Sequence, residues 1–205
     1  MIKIILILFL TLTTQAHSSL KFVPVTGSQI EVKIPYTLGE HKITSEGIQG
    51  SVAFDRDKSL VNQGELILAV QSLRHDKKEL ICHLQESLSL DYAKSDFPDE
   101  HVCQDDKLPS EGKNAPVFMN IVASLIEPFK LGSVKVPVRW TIHGITKDLP
   151  VELYSEWDAE NSKLIIRGKT KFQRRDFNIT VKNFLFIGVD EEIPVSFNIV
   201  LGDHK

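Results

Sequence analysis

The chain has little cysteine, no surplus of positive charge and, past its first dozen residues, no long apolar run. Two cysteines in 205 residues exclude a disulfide-dense scaffold. Neither has a nearby His/Cys cluster, so neither belongs to a zinc site. Beyond Leu12 no stretch approaches the roughly 20 apolar residues of a membrane-crossing helix. With 24 Lys and Arg against 27 Asp and Glu, the formal net charge is −3. That balance argues against nucleic acid, which rewards clustered positive charge. There is no G-x-S-x-G elbow, Gly-rich phosphate loop or H-E-x-x-H motif. His75, His83, His101 and His143 are scattered singly over helix, loop and turn. Asp105-Asp106 and Glu191-Glu192 are adjacent pairs that diverge on a strand or sit in solvent. The sequence thus offers no catalytic residue, no metal ligand set and no required cofactor.

What is present begins with Met1-Ile2-Lys3, a short basic start, and the apolar run Ile4 to Leu12. Thr14-Gln15-Ala16 and Ala16-His17-Ser18 follow as small-residue cleavage sites. The pattern reads as a signal peptide over 1–16, with cleavage at 18 as the alternative. Its removal leaves 23 basic and 27 acidic side chains, a net charge near −4. The expectation is a periplasmic or secreted chain with no stable membrane anchor. In that setting Cys82 and Cys103 most simply form one disulfide, worth about 3 kcal/mol on the loop-entropy model; two free thiols are the alternative.

The rest of the chain alternates with period two. Val134, Val136, Val138, Trp140 and Ile142 share one face, and Leu149, Val151, Leu153, Ser155 and Trp157 another. So do Leu164, Ile166, Gly168, Thr170 and Phe172, and then Ile193, Val195, Phe197, Ile199 and Leu201. His143-Gly144-Ile145-Thr146 and Asp158-Ala159-Glu160-Asn161-Ser162 are short connections, which favour antiparallel neighbours. Ile30–Ile34, Gly50–Asp55, Glu65–Val70 and Val117–Glu127 supply further strands. One segment breaks the pattern. Asp76-Lys77-Lys78-Glu79 has the form of a helix start, and Leu80, Ile81, Leu84 and Leu88 fall on one helical face behind it. From 99 to 116 the chain is polar and rich in Gly and Pro, a loop that the disulfide would tie back to the helix. These signals define an all-β domain with one helix, an up-and-down sheet or barrel with one dry face.

Four segments carry a family resemblance. Trp140-Thr141-Ile142-His143-Gly144-Ile145-Thr146-Lys147-Asp148-Leu149-Pro150-Val151 resembles the "L-T-I-H-G-V-T-K-P-V" hairpin of the YceI-like family of lipocalin-like, polyisoprenoid-binding proteins. Phe172-Gln173-Arg174-Arg175-Asp176-Phe177-Asn178-Ile179 is similar to its "I-x-R-S-D-F-G-I" segment, and Val189 to Phe197 to its last strand. Gly50 to Asp55 fits its "G-x-I-x-F-D" strand. Asn178 stands where the family has Gly, Gly27-Ser28 where it has His-Ser, and Cys82 to Cys103 where it has an "R-D-x-H-L" helix region. The resemblance covers most of 20–202. It implies an antiparallel, extended lipocalin-like β-barrel of about eight strands, with a helix across one opening. It also implies a long apolar ligand, such as an isoprenoid quinone or a fatty amide or acid.

An eight-stranded barrel can be filled by side chains or can hold one ligand. If hollow, the expected ligand-binding residues are Phe54, Leu68, Val138, Trp140, Ile142, Leu153, Ile166, Phe172, Phe186 and Phe197, with Arg175 as a polar anchor at the mouth. Arg174-Arg175-Asp176 has a plainer reading too, as an ion pair fixing the turn before the last strands. The leading function is a non-catalytic carrier of a long-chain apolar lipid. The rival is a structural or interaction module with a filled core, docking through the Cys82–Cys103 loop. Oligomeric state is not encoded; a homodimer is one allowed arrangement.

Overall fold

The computed structural model describes residues 19–77, 80, 84, 87, 88, 119–179 and 188–204. The chain runs β1 (Leu20–Pro24), β2 (Gln29–Tyr36), β3 (Gly39–Ser45), β4 (Ile48–Asp55), β5 (Leu60–Ala69), β6 (Asn120–Leu125), β7 (Phe129–Lys130), β8 (Gly132–Ile142), β9 (Ile145–Asp158), β10 (Lys163–Gln173) and β11 (Glu192–Asp203). All pair antiparallel in one sheet, which closes because β1 bonds to both β4 and β11.

The eleven strands merge into eight staves. β1 and β2 pair with successive stretches of β11, Phe22 opposite Asp203 and then Val32 opposite Val195. They form one stave interrupted at Val25–Ser28. There the Ser28 hydroxyl patches the ladder, donating to the Val200 carbonyl at 2.9 Å and accepting from the Val200 N–H at 3.0 Å. β3 and β4 likewise continue each other opposite β2 and β1, and β6 and β7 do so opposite β5. Each stave then pairs with its neighbour in sequence, and the last with the first. The result is a closed up-and-down barrel, the architecture that leaves no free sheet edge.

Turn chemistry holds this register. His143 and Gly144 both have positive φ, 51° and 74°, as the two-residue hairpin between β8 and β9 requires. Asp158 accepts from the Asn161 backbone N–H and side-chain amide at 3.1 and 2.8 Å, closing the β9–β10 turn. After β10 a 3-10 turn, Arg174–Phe177, ends on Asn178 in the left-handed region at φ 52°. Asn therefore serves where glycine is the usual choice.

Side chains alternate across the wall as the sequence pattern requires. The outer face carries cross-strand ion pairs, among them Arg139–Asp148 at 2.8 Å, Arg167–Glu156 at 2.8 Å and Lys171–Glu192 at 2.8 Å. All are exposed, so each contributes little to stability. The inner face holds the core. Phe186 and the Cys82–Cys103 pair lie outside the described residues, as does the stretch from 1 to 18. Leu80, Leu84 and Ser87 are helical, and the Leu88 N–H donates to the Leu84 carbonyl at 3.1 Å. That agrees with the helix expected behind Asp76.

Candidate functional site

The two ends of the barrel differ. At the lower end lie the β4–β5 and β9–β10 turns, the start of β1 and the end of β11. Phe22 and Phe54 are fully buried there. Their rings meet edge to face at 5.8 Å, and each lies 5.6 Å from the Trp157 ring. The Arg56 guanidinium covers this cluster from outside, 4.6 Å from the Trp157 ring centre and 5.3 Å from that of Phe22. Its Nη2 also reaches Asp203 at 3.3 Å. Aromatic bulk closes this end.

Above the cluster the barrel is hollow. A cavity of ≈ 990 Å³ occupies its middle and upper parts. Every stave contributes aliphatic or aromatic side chains to its wall, for example Ile30 and Val32, Ile43 and Val52, Leu66 and Leu68, Ile121 and Ala123, Val138 and Ile142, Val151 and Leu153, Ile166 and Phe172, and Val195 and Ile199. The helical Leu80 and Leu84, with Leu88 in the turn that follows, complete the lining from the segment after β5. Gly168 faces inward without lining the cavity. A Cβ there would lie 2.3 Å from Phe197 Cζ and 2.7 Å from Leu153 Cδ2, so the phenyl ring of β11 fills that slot in the wall.

Polar groups in the lining gather at the upper end, where β2–β3, β8–β9 and β10–β11 connect. They are His41, Ser87, His143 and Arg174, with Thr170 one layer below. The His143 Nδ1 lies 2.9 Å from the Phe177 carbonyl. A carbonyl only accepts, so Nδ1 carries a proton and donates it. Arg174 is held by the Asp190 and Ile179 carbonyls at 3.3 and 3.2 Å and by Glu191 at 3.5 Å. The His41 ring stacks on Tyr36 at 4.4 Å and meets His75 edge-on at 5.4 Å. Burial, then the neighbouring His75 and Lys77 charges, lower its pKa and favour the neutral ring.

Of the residues expected to face a ligand, Leu68, Val138, Trp140, Ile142, Leu153, Ile166, Phe172 and Phe197 line this cavity. Phe54 does not: it belongs to the lower plug. Arg175 does not either. Its side chain points outward, 78% exposed, and pairs with Glu191 at 2.8 Å, which is the turn-fixing ion pair. A 3-10 turn carries consecutive side chains round the axis, so Arg174 faces the lumen and Arg175 faces water. The sequence reading passed over His41, and within the Arg174-Arg175-Asp176 cluster it put the anchor on Arg175 rather than Arg174. For His41 the one available signal was position, at a strand end near the upper turns.

Among the described residues there is no cluster of His, Cys, Asp or Glu able to hold a metal ion, and no helix long and apolar enough to cross a membrane. Buried side-chain polar atoms without a partner are Trp140 Nε1 and Ser155 Oγ. This wall can solvate an apolar chain, and its rim can meet a polar group.

A closed up-and-down barrel with a hollow apolar lumen defines the lipid-binding class of small barrels. The family model of the YceI-like domain matches residues 12–201, and the chain belongs to that family. Three solved structures share the fold. A polyisoprenoid binding domain from Saccharophagus degradans, implicated in plant cell wall breakdown, superposes with a TM-score of 0.62 at 8% identity, covering 91% of this chain and 99% of that one. Burkholderia cenocepacia BcnA gives 0.57 at 14% identity over 84% and 95%. The Campylobacter jejuni YCEI protein gives 0.55 at 16% identity over 82% and 88%. No curated protein sequence matches the chain significantly.

Proposed function

We infer that this protein is an exported, non-catalytic carrier that holds an isoprenoid quinone or another long-chain apolar lipid inside its barrel. The observation that carries this reading is the ≈ 990 Å³ cavity and its almost wholly apolar wall. A tail burying several hundred Å² gains about 10 kcal/mol at roughly 25 cal/mol per Å². That offsets the roughly 4–15 kcal/mol cost of association without any charged contact. The rival reading, a barrel filled by its own side chains, leaves a cavity of this size without a purpose. The polyisoprenoid binding domain among the structural neighbours supports the ligand class. The basic start and apolar run of the first residues support export, and export in turn supports a Cys82–Cys103 disulfide.

The test is extraction. Protein purified from the periplasmic or secreted fraction is extracted with organic solvent and also weighed intact under native conditions. A stoichiometric long-chain lipid is the expected result. An intact mass equal to the bare chain, together with no binding of added quinones or polyprenyl alcohols, would falsify the reading. The same spectra report the N-terminus, expected after Ala16 or Ser18, and a mass two hydrogen atoms below the reduced chain.

A further inference from the structure

We propose that the lower aromatic plug is a chain-length ruler, so that the barrel selects ligands by the length of their apolar tail. This rests on the lipid-carrier reading above and adds a specificity determinant to it.

The lumen is blind. Phe54 lies opposite Val61 across the β4–β5 ladder, and Leu164 lies opposite both Trp157 and Leu201. Val61, Phe129, Ile166 and Ile199 form the lowest described layer of the cavity wall, and Phe22, Phe54 and Trp157 lie beyond it. The plug is rigid as well as present. Its three rings interlock at 5.6–5.8 Å, and the Arg56 guanidinium packs over two of them. A tail cannot pass out through this end without dismantling it.

The polar lining lies at the opposite end, at His41, His143 and Arg174. A lipid with a polar head therefore inserts tail first and stops with its head at the rim. Its tail must fit between rim and plug. At roughly 30 Å³ per heavy atom, the share a water molecule takes in the liquid, ≈ 990 Å³ holds about thirty heavy atoms. Farnesol and geranylgeraniol are smaller than that. Solanesol is well over it, and part of its chain must protrude into water.

The experiment is native mass spectrometry of the mature chain incubated with an equimolar mixture of farnesol, geranylgeraniol and solanesol, repeated with Phe54→Ala and Ile199→Phe. Removal of the Phe54 ring lowers the floor. The solanesol-to-geranylgeraniol ratio is expected to rise about fifteenfold, the effect of burying roughly two more methylene groups. Ile199→Phe raises the floor, and the solanesol-to-geranylgeraniol ratio is expected to fall by a similar factor. Thermal melts establish that each variant is folded; if Phe54→Ala is not, Ile199→Phe decides alone. Ratios unchanged in the folded variants overturn the ruler while leaving the carrier intact. Failure of the wild type to bind any of the three alcohols overturns the carrier reading and the ruler with it.

Discussion

Gly168→Ala separates the cost of crowding a wall from the cost of occupying a lumen. The added Cβ would sit 2.3 Å from Phe197 Cζ, 2.8 Å from Phe197 Cε2 and 2.7 Å from Leu153 Cδ2, so the phenyl ring must leave. In a filled core such overpacking costs about 1–3 kcal/mol. Here Phe197 and Leu153 both border the cavity, and the ring can swing into empty space. Ala also recovers roughly 0.5–1 kcal/mol of backbone entropy relative to Gly. The net stability change should stay within about 1 kcal/mol, a shift in Tm of roughly 2–4 °C for a chain of this length. The lumen bears the cost instead. A ring displacing about two ligand methylenes removes ~1.6 kcal/mol at ~0.8 kcal/mol each, a roughly fifteenfold weaker Kd. The assay is quenching of tryptophan fluorescence by decylubiquinone, with Trp140 in the cavity wall as reporter, beside a thermal melt. A melt lowered by more than about 8 °C with unchanged quinone affinity would mean that Phe197 has nowhere to go, and would refute the hollow wall.

Other expected outcomes test separate parts of the argument. Ser155→Ala should raise stability by about 1–2 kcal/mol in thermal unfolding, because the buried hydroxyl has no partner and its removal relieves a desolvation cost. Asn178→Gly should be neutral, whereas Asn178→Val should cost about 1–2 kcal/mol at φ 52°; equal melts would deny the left-handed cap. Arg56→Ala should destabilise by about 0.5–1 kcal/mol through the lost contact with Trp157 and Phe22, leaving quinone affinity unaltered. Stability should also fall with acid near neutrality. Burial, His75 and Lys77 lower the His41 pKa from the usual 6.5, so the unfolded chain binds that proton more readily. The contribution is present above 6.5 and is lost as pH falls toward the folded pKa. Urea melts from pH 8 to 5 should show this slope, and His41→Phe should flatten it.

The alternating strands were legible because one face is uniformly apolar. From β8 to β11 every inward position read from the sequence faces the core or the cavity. β1 and β3 were not legible. β1 is five residues long, too short for alternation to show. The inward side of β3 carries His41 and Ser45 beside Ile43, which dilutes the pattern that marks a strand. The two interruptions at Val25–Ser28 and at Glu46–Gly47 hid the fact that four short strands are two staves. The Arg174-Arg175 pair was legible as a cluster but not by side, because which residue faces inward depends on a 3-10 turn rather than on period two.

Whether the barrel is hollow lay beyond the sequence for a different reason. Alternation assigns each side chain to a face but does not sum volumes, and eight strands permit either outcome. Two distributions along the barrel axis decide it. Bulky rings pack on one another low, where Phe22, Phe54 and Trp157 converge from three staves and fill the cross-section. Higher up, inward positions on neighbouring staves carry Gly64 and Ala123, and the slot at Gly168 is filled by a ring that belongs to the wall. Branched aliphatics supply most of the rest, with Trp140, Phe172 and Phe197 lying in the wall, and they leave the axis open. The same inward pattern therefore builds a solid floor and an open shaft, and the boundary between them lies where the Phe22, Phe54 and Trp157 cluster gives way to Val61, Phe129, Ile166 and Ile199.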